Sequence, residues 1–161
     1  MVSEITKKKM KIKISNEVRS HIDIHFHSDL TGSKFYAKTP DALLEMALQL
    51  FPESFSSASP DADGRVRVSL CFPYDIGVSN VVHIDELSDD EKKRIIVVDR
   101  NGVKVRCAKI ERIFPTKECQ LIFSSSWDLI TMFPGEMAPP LPISPQVHDC
   151  YWDNHVFVTT D

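Results

Sequence analysis

Between Arg65 and Phe133 the chain sets down one strand-like apolar run after another, joined mostly by turns too short for a parallel crossover. The runs are Arg65–Phe72, Ile95–Val98, Val103–Phe114, Leu121–Phe123 and Trp127–Phe133, and Ser124-Ser125-Ser126 reads as the hairpin loop between the last two. Parallel strands need connections of about a dozen or more residues, so these segments predict one mainly antiparallel sheet. Arg65 to Phe72 alternates cleanly, with Val66, Val68, Leu70 and Phe72 on the inward face. Ile95–Val98 reads as a buried strand, and the nearly continuous Trp127–Phe133 as a central one. The apolar set of Val103–Phe114 changes parity near Cys107-Ala108, which predicts a bulge.

Ahead of the sheet, Met10–Ile14 alternates apolar residues with lysines, as a guarded edge strand does. Val18–His27 reads as a second strand, and Thr31-Gly32-Ser33 as a turn. Thr39-Pro40-Asp41 marks a helix start: a hydroxyl cap, proline at the first position and an acid near the positive dipole end. Leu43, Leu44, Ala47 and Leu48 give that helix, about 40–51, an apolar stripe, and Pro52 stops it. Ser54–Gly64 then reads as a loop, whose Asp61-Ala62-Asp63-Gly64 lacks the ligands of a calcium loop. Ser88-Asp89-Asp90-Glu91 is a capping box for a short second helix, about 89–94. Pro134, Pro139, Pro140, Pro142 and Pro145 predict an extended strap, and Tyr151–Thr160 a last strand. The class is α+β. A chain of 161 residues fits one domain, with a strand–helix part over 1–60, a sheet part over 64–145 and a C-terminal extension over 146–161.

An apolar fraction of 42% is enough for an unstapled core. No apolar run follows Lys7-Lys8-Lys9, so neither a secretory signal nor a membrane span is expected and the location read from the sequence is cytoplasmic. No two of Cys71, Cys107, Cys119 and Cys150 stand at zinc-knuckle or redox spacing, which predicts reduced thiols. The net charge of −4 argues against generic nucleic-acid binding. Between Glu91 and Arg112, however, eight basic residues face three acids, so a locally positive face is compatible with the sequence.

Two clusters carry potential chemistry. On a strand, His21, Asp23, His25 and His27 share one face, where imidazoles can bind a transition metal; the bland alternative is a solvated strand face. Asp23-Ile24-His25-Phe26-His27-Ser28 resembles the opening motif of the PHP phosphoesterases, but no second His/Asp cluster follows at that family's spacing. His148, Asp149 and Cys150 are adjacent on a proline-rich stretch and cannot converge on one substrate atom. No GxSxG, P-loop, HExxH or GxGxxG motif occurs, and no cofactor is expected.

The string Thr131-Met132-Phe133-Pro134-Gly135-Glu136-Met137-Ala138-Pro139-Pro140, with the preceding Asp75–Pro115 region, resembles the terminal strand of uncharacterised bacterial proteins grouped with the barnase/EndoU/colicin/RelE-like ribonuclease fold. The resemblance implies an antiparallel sheet presenting a terminal-strand hydroxyl, Thr131, and arginines to an RNA phosphate, with Arg100 and Arg112 as phosphate contacts. Arginine suits that role because its planar fork can bind two oxygens. Acid–base work would fall to His83, the histidine nearest the motif, although it matches no catalytic position of that family. Three readings stay open: a ribonuclease-like domain binding RNA or another phosphate-bearing ligand, a non-catalytic interaction or structural domain, and a metal-dependent hydrolase on the histidine strand, with RNA or a partner protein as the expected partner.

Overall fold

The computed structural model describes residues 2–7, 10–26, 33–100, 102–136 and 151–159. Its order is α+β with mostly antiparallel pairing, but the expected single sheet is two sheets with separate cores. The sequence could not supply this split, because short turns constrain neighbours in the chain and not which distant strands share a ladder.

The first core is built from elements whose local signals agree. Strands β1 (Val2–Lys7) and β2 (Met10–Ser15) form an antiparallel hairpin, and Ile12 and Ile14 are fully buried. The segment read as a strand over Val18–His27 is instead helix α1 (Asn16–Ile22) followed by a 3₁₀ turn (Asp23–Phe26), and His27 lies outside the described residues. The Ser15 hydroxyl caps α1 by accepting from the Val18 N–H at 3.2 Å. Val18, Ile22 and Phe26, four residues apart, pack on the core while Ile24 is exposed. The period of four had priority over the Ile/Phe alternation of period two.

The two-residue β3 (Lys34–Phe35) precedes α2 (Pro40–Leu50), which starts as expected, the Thr39 Oγ1 accepting from the Ala42 N–H at 3.1 Å. Leu43, Leu44, Ala47 and Leu48 are buried, each large one contributing about 1.5–3 kcal/mol of hydrophobic stabilisation. Pro52 ends α2 but also opens α3 (Pro52–Ser56), since proline fits a first helical position. The expected loop therefore starts later than Ser54, and Phe55 from α3 packs beside Phe123 and Trp127.

These helices and β2 contribute to the same core as a three-stranded sheet ordered β11–β10–β4, with β4 at Val66–Cys71, β10 at Glu118–Phe123 and β11 at Leu129–Pro134. Val66, Val68, Leu70 and Phe72 are buried as read. The central strand is β10, buried from Cys119 to Phe123, and β11 is at the edge. Pro134 lies within β11, where the missing N–H is tolerated. The register shift falls at Ile122/Phe123 and not at Cys107-Ala108.

The second sheet is ordered β6–β12–β8–β7, from Val81–His83, His155–Thr159, Val103–Lys109 and Ile96–Arg100 respectively. Strand β12 pairs antiparallel with β6 and parallel with β8, so the segment read as an extension is threaded into the middle. Pairing of β8 with β7 runs in register from Val103 to Cys107. The parity change reflects burial on both faces: Val105 on one, Ala108 on the other with Val82, Val156 and Val158. Strand β7, expected to be buried, is an edge with Ile96 61% and Val97 59% exposed. An apolar run reports composition, and its place in the ladder decides exposure. A small antiparallel sheet joins β3, β5 (Gly77–Val78) and β9 (Pro115–Thr116). A Cβ at Gly77 would fall on the Lys34 carbonyl, so only glycine permits that approach. No described helix is long and apolar enough to cross a membrane.

Candidate functional site

A cleft of about 450 Å³ opens among β4, β6, β9 and the start of β10, and includes the residues just after β11. Its polar wall carries Asp75, Glu86, Glu118 and Glu136, with Lys117 the lone lysine or arginine among its described lining residues. Lys117 is itself paired with Asp75 at 2.9 Å. Desolvation, then the charges of Glu136 and Glu86, push the Glu118 carboxyl above the usual carboxylate range.

His83 ends β6 and caps the 3₁₀ turn Ile84–Glu86. Its Nδ1 accepts from the Asp85 N–H at 3.2 Å, and the His83 backbone N–H donates to Glu86 Oε2 at 3.1 Å. The Asp85 carboxylate also stands 3.4 Å from Nδ1. Behind His83 stands His155, its ring edge-on at 5.3 Å. The antiparallel register places the two residues opposite one another. His155 Nε2 meets Glu136 at 2.6 Å and Nδ1 donates to the Tyr151 carbonyl at 2.8 Å. Burial first, then Glu136 and Glu118, drives the Tyr151 phenol far upward.

Of the residues singled out in the sequence, His83 and Arg112 share one network. Arg112 Nη2 donates to the Glu86 carbonyl at 2.9 Å, and the guanidinium lies 4.1 Å over the Phe114 ring. Its fork is occupied by Glu91, at 2.7 and 2.9 Å. Those bonds, with the Ser88 backbone N–H, lower the Glu91 carboxyl to about 2. Arg112 thus ties the capping helix α4 (Asp89–Lys92) to the cleft rim through Nε and Nη2. Thr131 is half-buried on β11 opposite Ile122 and does not line the cleft. Arg100 closes β7, and its side chain lies outside the described residues.

The histidine row is undone by the helix. His21 is on α1, and Asp23 and His25 are on the 3₁₀ turn. The strand geometry that aligned them is absent, and His25 Nδ1 is engaged by the Ser33 carbonyl at 2.8 Å. No group of three or more His, Cys, Asp or Glu among the described residues is arranged to hold a metal. Cys71 and Cys119 are thiols outside any disulfide.

Sequence reasoning missed Glu118, Glu136 and His155. The signal available was a histidine opening the apolar run Val156-Phe157-Val158, but only the pairing of β12 with β6 connects it to His83. No family model matches the chain, and no match is found among curated proteins or solved structures.

Proposed function

We propose that this protein is a non-catalytic binding domain whose cleft takes a cationic group, a primary amine or guanidinium, presented by a partner protein. The observation that carries the reading is the charge of the cleft: four carboxylates against one ammonium leave about three negative charges in the described wall. Glu118 already bears the repulsion of Glu136 and Glu86, which a bound cation relieves. A cleft of about 450 Å³ suits a side-chain head group and its stem. The histidines and Arg112 support the backbone and each other, so the polar groups act as struts and not as a nucleophile with its base. The reading keeps the protein cytoplasmic, where Cys71 in the cleft wall remains a thiol.

The test is a titration of the full chain with fluorescent Lys- or Arg-containing peptides, alongside single-stranded RNA. Basic peptides should bind saturably at low salt and weaken as salt rises. Replacing Glu118 and Glu86 together by glutamine should cost about tenfold in affinity, on the order of one removed cation–carboxylate contact at the surface. Salt-dependent RNA binding that Arg100→Ala weakens, with no peptide binding, would replace this reading by the ribonuclease-like one.

A further inference from the structure

The second sheet ends in two edges, β6 and β7, and they are finished differently. On β6, the Ile84 N–H donates to the Asn154 carbonyl and the Val158 N–H to the Asn80 carbonyl. That phase bonds Val82 to β12 and turns the backbone groups of Val81 and His83 outward. Side chains already occupy them. The Ser79 hydroxyl accepts from the Val81 N–H at 3.2 Å and donates to the Val81 carbonyl at 2.8 Å, and Glu86 Oε2 accepts from the His83 N–H at 3.1 Å. An edge plugged in this way offers little to an added strand. On β7, the pairing of Arg100 with Val103 makes Arg100, Val98 and Ile96 the hydrogen-bonded positions against β8. Val97 and Asp99 therefore direct N–H and C=O away from the sheet, and no described group bonds either backbone. Ile96 and Val97, the exposed apolar residues of this strand, stand on opposite faces.

We propose that β7 is a self-association edge: a second copy of this chain adds its own β7 antiparallel and joins the two four-stranded sheets into one. A two-fold axis perpendicular to the joined sheet must set one residue against its own copy. Centred on Val97, the pairing sets Val97 against Val97 on one face and Ile96 against Val98 on the other, so both exposed residues gain an apolar neighbour. It also joins the outward groups, each Val97 N–H to the other Val97 carbonyl and each Asp99 N–H to the other Ile95 carbonyl. Charge agrees with the antiparallel order, because Asp99 of each copy comes beside Lys92, Lys93 and Arg94 at the start of the other strand. Centred on Val98 instead, the pairing would set Val97 against Asp99. The cleft lies on the β6 side of the sheet, so pairing at β7 leaves it open.

A strand of five residues falls short of the roughly 1,200 Å² of a standard interface, so the dimer is weak and concentration-dependent. Sedimentation of the full chain from about 10 µM to about 1 mM should show monomer giving way to dimer. Over the same range, hydrogen exchange at the Val97 and Asp99 amides should slow several-fold, while the Val98 amide, already bonded to β8, should change less. Val97→Lys, at an exposed position where folding is retained, sets two ammonium groups face to face and should weaken dimerisation about tenfold or more. A monomer throughout overturns the inference and leaves the edge to a partner of another kind. A dimer indifferent to Val97→Lys overturns it by placing the interface elsewhere. Val97 and Asp99 amides protected equally at every concentration overturn it too, since another part of the same chain would then cover them.

Discussion

The two cores of this chain are held by different means. The first gathers β2, α2, α3 and the β4–β10–β11 sheet around fully buried Leu43, Leu44, Phe55, Leu121, Phe123 and Met132, with aromatic rings meeting edge to face. The second is smaller: Val82, Leu87, Ala108, Ile110, Phe114, Val156 and Val158, with an exposed apolar edge at β7. Polar struts surround it, Arg112 to Glu91, His155 to Glu136 and Arg106 to Asp153. Both sheets pair strands across long stretches of sequence, but the first buries many more large apolar side chains. The candidate site lies where the second meets the first, on the side that is less deeply packed.

The comparison breaks most visibly in the first core. Phe123→Ala should cost about 3–5 kcal/mol in chemical denaturation, since it removes a fully buried ring contacting Phe55 and Trp127. A loss under about 1 kcal/mol would mean that this core is not the main anchor. A smaller effect is expected from Val156→Ala at the middle of the second sheet, about 1–3 kcal/mol. Hydrogen exchange sharpens that case: amides of β6 and β8 should open while those of β4 and β10 keep their protection. Equal loosening of both sheets would show that they unfold as one unit.

The smallest effect concerns a strut. Glu91 is held near 2 by Arg112, a folded value below the ordinary carboxylate range. Its contribution is therefore complete above the unfolded carboxylate value and fades as pH falls toward 2. In Arg112→Gln, NMR titration should return Glu91 toward the ordinary range, with little change of stability at neutral pH because the Arg112 end of the pair is half-exposed and screened by water. A Glu91 that titrates identically in both proteins would dissolve the strut.

Legibility in the sequence followed the range of the interactions. The Thr39 cap, the α2 stripe, the alternation of β4 and the Ser88 capping box are local, and each appears where the residues place it. Residues 16–26 offered two periods at once, and the choice was made by burial of Val18, Ile22 and Phe26 against strands elsewhere in the chain. Ile96 and Val97 look like core because their composition carries no record of standing at an edge. The candidate site was half legible. His83 and Arg112 drew notice and do share a network, whereas Glu136 and His155 meet only through a ladder that closes over a long separation. Thr131 was chosen from a resemblance of strings, and it pairs with Ile122 in mid-β11, away from the residues that line the cleft.

The threading of β12 between β6 and β8 also orders events in time. Ribosomes add about 5–20 residues per second, so several seconds can separate Lys109 from His155. Everything the first sheet requires, through Pro134, has been made before β12 exists. During that interval the β12-facing edges of β6 and β8 lack their partner, and unpaired edges invite pairing with other chains. A nascent chain stalled between Pro134 and His155 should therefore carry a mature first core beside an open, adhesive second sheet, and the late arrival of one short strand sets how long that hazard lasts.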